Sequence, residues 1–460
     1  MQRGRKVWNM NDKIVMPVWT FGLFIVVMNT TMFNVSIPSI IRDLGITANL
    51  GAWIISSYSI GYALSTVIYS RLSDSVPIRT LLAVGIGVLG LSSVFGIFAR
   101  DFESLLAARI LQSAGSGAMA GLGLVLASRY IPYERRGRAI TMISAGSAMA
   151  FGLGPIVGGL VSEYFGWNGL FAVTCLVLVI LPLLLRLLPK EQPQPFRFDA
   201  PGAGFTVINT ATLLIAVTQR SAVWLAVSVL SFAAHAWHLK RAQQPFINPQ
   251  LLANSAYRKL LTIGFCILVL NLANLFLMPL ALANLFEQSA MTIGFVIAPG
   301  AIVSAILTRF LGQWIDRYGN LRFLLLGHAI LTAVVAAFSI GLAVSPFVIL
   351  CGYICFSPAF SATIASLNNE TSRILQKPLI GSGMGLMQLT QFFGGAFSVA
   401  ACGLLLALQE QIPLVDAYQL VYRCLLAVSV CSFAILLWYR RSMHVNREKP
   451  SAAVREESAV

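Results

Sequence analysis

Charged residues are scarce in this chain of 460 residues. They make up 11% of the sequence, whereas soluble domains carry about 25% charged residues. Hydrophobic residues make up 57%, and a water-soluble fold of this length needs more charge to cover its surface. A helix of about 20 apolar residues is long enough to span a bilayer. The composition therefore predicts a polytopic membrane protein and excludes a large soluble domain.

The sequence also lacks the patterns of common metal, disulfide and catalytic sites. Its seven cysteines fall inside apolar runs and form no CxxC pair, and its four histidines form no HExxH pattern. An odd number of cysteines without paired spacing does not suggest a disulfide framework or a metal site. We therefore expect no cofactor, no metal and no enzymatic activity.

Hydropathy predicts fourteen transmembrane spans, of which the seventh and eighth are the weakest. If the N-terminus is cytoplasmic, 27 of the 32 Lys and Arg residues fall in cytoplasmic segments and three in external loops. This positive-inside pattern requires an even number of spans and places both termini in the cytoplasm. The net charge of +15 then reflects topology rather than a nucleic-acid partner. The predicted spans are 16–38, 50–70, 79–99, 104–128, 139–162, 168–188, 203–218, 222–238, 260–283, 291–313, 322–343, 346–367, 381–408 and 417–439.

An internal repeat indicates two halves. Asp74 follows the second span and Asp316 follows the tenth, and each has basic residues nearby. Parallel repeated halves are common in transporters. We therefore divide the chain into a cytoplasmic N-tail (1–15), an N-terminal six-helix half (16–188), a linker (189–257), a C-terminal six-helix half (258–440) and a cytoplasmic C-tail (441–460). The linker contains the two extra helices, 203–218 and 222–238.

Three motifs in this order resemble the major facilitator superfamily, and specifically its fourteen-helix drug:proton antiporters, with the Gram-positive tetracycline exporters as the nearest likeness. The first motif is represented by Asp74 and Arg79, and the second by Arg109 and Gln112 in span four. The third, in span five, consists of Gly146, Gly152, Gly154, Pro155, Gly158 and Gly159. The resemblance implies an all-α fold of two six-helix halves with two inserted helices.

The resemblance also implies a function. It implies secondary active efflux of small amphipathic drugs or antibiotics, driven by proton antiport with alternating access, in a bacterial cell membrane. The expected partners are a small-molecule substrate, protons and the lipid bilayer, and the expected state is a monomer. Export of an endogenous metabolite or siderophore, transport without proton coupling, and a transport-inactive sensor remain open alternatives.

The motif residues receive roles from the same resemblance. Arg109 lies within a span, where a charge costs roughly 2.5–3.5 kcal/mol, and together with Gln112 and Asp74 it is expected to take part in proton transfer or coupling. Pro155 removes a helical hydrogen bond, and the glycines around it permit close packing, so this stretch is expected to gate the cavity. A cytoplasmic latch is expected from Asp74, Arg79, Arg138, Asp316 and Arg317.

Several polar or aromatic residues within spans are candidates for a substrate cavity. Buried amides need hydrogen-bond partners, so each of them either binds substrate or joins neighbouring helices. The candidates are Asn29, Thr30, Asn34, Asn271, Asn274, Tyr353, Gln388 and Gln391.

No acidic residue lies in the middle of a predicted span. The resembling exporters carry carboxylates where this chain has Asn29 and Thr30 in span one and Gly395 in span thirteen. Protons would then bind at Asp74, Glu163 or His328, or transport would be uncoupled. Without a buried carboxylate to attract a cation, the sequence favours a neutral, zwitterionic or anionic substrate.

Overall fold

The computed structural model describes residues 11–73, 76–189, 191, 199–242, 245–247, 249–376, 379–408 and 412–448. These ranges contain sixteen α-helices and no β-strand. The first seven helices are α1 (Asp12–Leu44), α2 (Ala48–Leu72), α3 (Ile78–Ile97), α4 (Phe102–Tyr130), α5 (Tyr133–Phe165), α6 (Gly169–Cys175) and α7 (Val177–Leu187). The linker contains α8 (Ala200–Thr218), α9 (Ala222–Arg241) and α10 (Pro249–Ala253). The last six are α11 (Ser255–Phe286), α12 (Ala290–Tyr318), α13 (Asn320–Gly341), α14 (Pro346–Ile374), α15 (Ile380–Ala407) and α16 (Leu414–Glu448).

Each predicted span falls on a helix, although the sixth is divided between α6 and α7 at Leu176. Within the described ranges, twelve helices are long and apolar enough to cross a membrane. In this count α6 and α7 form one span, Gly169–Leu187. The two predicted spans outside the twelve are the one on α2, which is rich in serine and tyrosine, and the one on α5, where the apolar stretch found among the described residues is Met149–Phe165. The chain is thus an all-helical multi-pass membrane protein, and the count of fourteen spans stays a prediction.

The helices extend beyond the apolar segments that hydropathy detects. Helix α1 begins at Asp12, four residues before the predicted span, and α16 continues to Glu448. Backbone hydrogen bonding does not require apolar side chains, so a helix can continue into the polar region at the membrane surface. The predicted tails at 1–15 and 441–460 are therefore partly helical where they are described.

The two sets of transmembrane helices repeat one packing pattern. Helices α1 and α5 pack together as α11 and α15 do, and α2 and α3 pack on α4 as α12 and α13 pack on α14. The sets meet through α2 against α15 and α5 against α12. Helices α8 and α9 pack on each other as a hairpin, and α8 also contacts α2 and α15. The hairpin therefore lies beside one of the two contacts between the halves.

Asn168 joins the end of α3 to the beginning of α6. The last carbonyl groups of a helix lack intrahelical partners, and Asn168 Nδ2 lies 3.4, 3.2 and 2.8 Å from the carbonyl oxygens of Gly96, Ile97 and Ala99. Asn254 has the opposite role, because its Oδ1 accepts from the backbone N–H groups of Ala256 and Tyr257 at the beginning of α11.

This contrast generates a matched pair of substitutions. We expect Asn168→Asp to lower the free energy of unfolding by about 1–3 kcal/mol, because a carboxylate cannot donate to carbonyls. Asn254→Asp is the control: a carboxylate still accepts at a helix N-terminus, where negative charge is favourable. Thermal unfolding of both variants in detergent measures the difference. Equal melting temperatures would contradict the donor role of Asn168.

Candidate functional site: a cavity between the two halves

A cavity of about 1210 Å³ lies between the two halves. Helices α1, α2, α4 and α5 line it from the N-terminal side, and α11, α14 and α15 line it from the C-terminal side. It extends from the middle of the bundle to the end where α2 and α4 finish and α15 begins, which we call the mouth. Residues at the mouth include Arg71, Arg129, Asp199, Phe246 and Leu379.

The halves are in direct contact at the opposite end of the bundle, which we call the closed end. Here Ser56 Oγ donates to the carbonyl oxygen of Ala396 at 2.8 Å, which joins α2 to α15. On the other side, Gly159 of α5 faces Ala290 of α12 so closely that a Cβ at Gly159 would lie 2.6 Å from the Ala290 oxygen. The predicted topology makes the closed end external and the mouth cytoplasmic.

The small residues of α5 serve two different contacts. Gly146, Gly154 and Gly158 face α1, and a Cβ at Gly158 would lie 2.7 Å from the Cα and carbonyl oxygen of Met32. Gly159 and Pro155 face α12 instead, where a Cβ at Gly294 would lie 2.4 Å from the Pro155 oxygen. The small residues of α5 thus pack one face of the helix against α1 of the same half and another face against α12 of the other half.

Arg109 is buried between two aromatic rings and is only 1% exposed. Its guanidinium carbon lies 3.9 Å from the ring centre of Phe33 and 3.9 Å from that of Tyr58. Its Nη1 donates to Gln112 Oε1 at 3.0 Å and to Asn29 Oδ1 at 3.3 Å. Among the described residues, no carboxylate lies within ion-pair distance of it. Aromatic faces and neutral amides therefore stabilise this cation.

Arg109 does not line the cavity itself. Tyr58 contacts the cavity and stacks on Arg109, so a molecule bound in the cavity meets Arg109 through the Tyr58 ring. Gln112 extends the network outward by donating to Ser93 Oγ at 2.8 Å. Any change in the position of Tyr58 therefore changes the surroundings of the buried cation.

Both amides and aromatic rings line the cavity. Asn271, Gln388 and Gln391 line it from the C-terminal half, and Gln391 Nε2 donates to Asn368 Oδ1 at 3.2 Å. The Tyr62 ring stacks on Tyr58 with centroids 6.2 Å apart, and it meets Phe392 edge to face at 5.6 Å. The cavity thus offers flat apolar surfaces and neutral hydrogen-bonding groups at mid-membrane depth.

The structure brings four of the eight cavity candidates to the cavity: Thr30, Asn271, Gln388 and Gln391. The other four are buried elsewhere. Asn29 bonds Arg109, Asn274 accepts from Tyr422 at 2.8 Å, and Tyr353 stacks on Phe356. The side-chain amide of Asn34 has no hydrogen-bond partner among the described residues. Gly395 does not line the cavity itself, and it packs against Leu272 of α11, which does.

The predicted latch lies largely outside the described part of the chain. Asp74 is outside the described residues, as are the side chains of Arg138 and Asp316. Arg79 is half-buried at the beginning of α3, and Arg317 is exposed with its guanidinium 5.5 Å from the Tyr318 ring centre. Arg129 donates to the Ser73 carbonyl at 2.6 Å and so binds the end of α2. The latch stays a prediction.

Several residues of the site were missed by the sequence analysis. Tyr58 and Tyr62 are four residues apart, so both lie on one helix face, and this spacing could have marked them. Phe33, Asn368 and Gly294 carry no such signal, because their roles depend on which helices meet in three dimensions.

Comparison with known proteins identifies the family. A model of the major facilitator superfamily matches residues 19–399. The chain belongs to the major facilitator superfamily. Members of this superfamily are generally transporters without enzymatic activity, so the chain is a membrane transporter for small molecules.

Curated relatives are distant. The putative multidrug resistance protein MdtD of Klebsiella pneumoniae is 25% identical over 402 residues, covering 85% of this chain and 85% of that protein. The riboflavin transporter RibZ of Clostridioides difficile is 24% identical over 343 residues, covering 73% of this chain and 75% of that protein. Both are bacterial, and they are named for different substrates.

Solved structures support the fold. A peptide transporter POT in complex with sulfate superposes with a TM-score of 0.71 at 12% identity, covering 93% of this chain and 95% of that one. The nucleoside transporter NupG superposes with a TM-score of 0.62 at 13% identity, covering 93% of this chain and 100% of that one. These likenesses concern the fold alone.

The close contact at Gly159 generates a prediction about the closed end. We expect Gly159→Ala to weaken this contact, because the added Cβ meets α12 backbone, and overpacking costs about 1–3 kcal/mol. The measurement is the rate at which an impermeant maleimide, added outside intact cells, labels a cysteine introduced at Thr30 in the cavity. A rise of about tenfold corresponds to 1.4 kcal/mol.

Gly152→Ala is the matched control on the same helix. A Cβ at Gly152 would lie 3.6 Å from Ile302, an ordinary van der Waals distance, so the labelling rate should stay near that of the parent protein. Equal rates for both variants would show that Gly159 does not hold the closed end.

Proposed function

We propose that this protein is a secondary active efflux transporter of small amphipathic drugs or antibiotics that works by alternating access. The observation that carries this proposal is the cavity between two repeated halves, which is continuous with the mouth and closed at the other end by helix contacts. Opening the closed end while closing the mouth would present the cavity to the other side of the membrane. MdtD, a relative along most of the chain, is named for multidrug resistance.

The number of spans, the position of the termini and the oligomeric state are part of the same proposal. The transporter would have fourteen transmembrane helices and both termini in the cytoplasm of a bacterial cell, which agrees with the even number of spans that the distribution of basic residues requires. It would act as a monomer. Helices α2 and α5 would be two of these fourteen spans. Their polar residues are tolerable because both helices contact the opposite half and line the cavity.

Proton antiport is the proposed driving mechanism. Arg109, Gln112 and Asp74 are its proposed residues. Arg109 suits this role because it is a buried cation whose position depends on Tyr58, a residue that the substrate would contact. Moving the Tyr58 ring would alter the stabilisation of this cation.

The cavity favours a neutral or anionic substrate. Among the described residues that line it, the one carboxylate is Asp199, which lies at the mouth and pairs with His238 at 2.7 Å. Arg71 and Arg129 also lie at the mouth. An organic cation would therefore find no opposite charge at mid-membrane depth.

Export of a planar heterocyclic metabolite is the second candidate. The observation that favours it is the combination of Tyr62 and Phe392 rings with the amides of Asn271 and Gln388, which suits a flat molecule with a hydrogen-bonding edge. The relative RibZ is named as a riboflavin transporter. Efflux assays with both compound classes distinguish the candidates.

Proton coupling is tested with an imposed pH gradient. We expect efflux of a transported drug, measured as uptake into everted membrane vesicles, to follow the gradient and to stop when a protonophore is added. In Arg109→Lys we expect the gradient response to fall at least tenfold, because Lys cannot present a planar cation to two rings and two amides. Transport that persists without a gradient would contradict antiport and leave a facilitator.

Substrate charge is tested at Thr30, which lines the cavity. We expect Thr30→Glu to shift the preference towards cationic compounds by about tenfold or more, because an opposite charge at low dielectric is worth over 1.4 kcal/mol. Thr30→Gln is the control, since it has similar size and no charge. Competition of cationic and neutral dyes for efflux gives the measurement. An unchanged preference in Thr30→Glu would refute the charge argument.

A further inference from the structure

Lys259, near the beginning of α11, is held against α16. Its Nζ lies 4.0 Å from the centre of the Trp438 ring and donates to Ser442 Oγ at 3.1 Å. The Ser442 hydroxyl in turn donates to the carbonyl oxygen of Tyr439 at 2.8 Å. A ring face and a neutral hydroxyl stabilise an ammonium group but do not neutralise it. These contacts therefore leave the Lys259 ammonium without a counter-charge.

Arginines add to the positive charge at this end of the two helices. Arg258 comes directly before Lys259 and is exposed. On α16, Arg440 and Arg441 are exposed as well. Arg441 follows Trp438 by three positions, so the two side chains lie on the same face of the helix. Cations from α11 and α16 thus lie on both sides of the groove in which Lys259 meets Trp438.

Neither helix supplies an acid to this end. The sequence contains no Asp or Glu from 245 to 286 and none from 417 to 447. Glu370 reaches α16 through Tyr439, on the buried face, and its ion pair is with Arg373. Among the described residues, no carboxylate lies within ion-pair distance of Arg258 or Lys259, or of the arginines of α16. An anion from the surroundings of the protein can therefore bind here without displacing an acid.

The groove lies at the boundary of the membrane. One apolar span begins at Ser255 and another ends at Met443, and the predicted topology makes this end cytoplasmic. Trp438 is 60% exposed, as is typical of tryptophan at a membrane–water interface. Ala434 and Val430 are exposed on the same face, four and eight positions earlier. A lipid whose chains cover this apolar face would have its phosphate at the level of Lys259.

A phosphodiester with no positive charge of its own suits the groove best. Lysine offers three donors and arginine a planar fork that matches phosphate oxygens. The ammonium or choline group of a zwitterionic lipid would instead meet several like charges. Basic pockets between transmembrane helices on the cytoplasmic side are suited to anionic headgroups for the same reason.

We propose that this groove binds the headgroup of an anionic phospholipid. We call it the basic groove and define it by Arg258, Lys259, Trp438, Arg441 and Ser442. The lipid phosphate takes the counter-ion position beside Lys259 and bridges α11 and α16, and the acyl chains lie along Trp438 towards Val430. None of these residues lines the cavity between the halves, so the site does not depend on the proposed function.

Native mass spectrometry of the protein in detergent, with no transported substrate, tests the proposal. The probes are phosphatidylglycerol and phosphatidylcholine with identical acyl chains. We expect one phosphatidylglycerol to bind about fivefold or more tightly than phosphatidylcholine, because each basic residue near a headgroup changes the affinity about fivefold. Inorganic phosphate should not displace the lipid, because it has no chains to cover Trp438. Equal affinity for the two lipids, or displacement by inorganic phosphate, would overturn the proposal.

A matched pair of variants separates the groove from the overall charge. Lys259→Gln should lower the affinity for phosphatidylglycerol about fivefold and leave that for phosphatidylcholine unchanged. Arg186→Gln is the control: it removes one positive charge from an exposed position in the last turn of α7 and should bind both lipids as the parent protein does. An equal loss in the two variants would show that the lipid responds to net charge, and the groove would not be a site.

Cross-linking of the unmodified protein covers the case in which Lys259→Gln does not fold. A phosphatidylglycerol with a photoreactive group on its glycerol headgroup is incorporated into nanodiscs with the protein and irradiated. We expect the cross-linked peptides to be concentrated at 255–262 and 437–443. Cross-links spread evenly over the basic ends of the other helices would also overturn the proposal.

Discussion

The bilayer leaves a buried polar group with no water to bind, and this constraint organises the whole structure. Every backbone group within the hydrocarbon must find its partner inside the protein, which restricts the spans to helices. Charged side chains are confined to the ends of the bundle or to protein-lined interiors. The scarcity of charge in the sequence, 11% of residues, is therefore a consequence of the solvent, and each charge that remains within the bundle requires its own stabilisation.

Arg109 and the buried carboxylates meet this requirement in different ways. Arg109 lies within α4 between two rings, with amides as hydrogen-bond partners. The carboxylates lie at one end of the bundle instead. Glu370 accepts from Asn320 and Tyr439, and Glu191 accepts from Tyr130. Within the described residues, the buried cation therefore has no carboxylate partner. The carboxylates lie near helix ends, where hydrogen-bond donors are available.

Hydropathy predicted the helices and their order, because the membrane imposes apolar composition locally on each span. It did not predict where helices end, since α1 and α16 continue into polar sequence. It also could not separate Thr30, which lines the cavity, from Asn34, which does not. Both are polar residues on α1, and only the packing of neighbouring helices decides which of them faces the space between the halves.

The two halves share a packing pattern but contribute different chemistry to the cavity. The N-terminal half supplies Tyr58 and Tyr62 with the buried cation behind them, whereas the C-terminal half supplies the Phe392 ring together with the amides of Asn271 and Gln388. A substrate that contacts both halves would meet aromatic rings on both sides and amides on the C-terminal side. Relative motion of the halves would therefore change its contacts with Tyr58 and Tyr62 if the substrate moves with the amides. Because Tyr58 also touches Arg109, the N-terminal side carries the link between an occupied cavity and the buried charge.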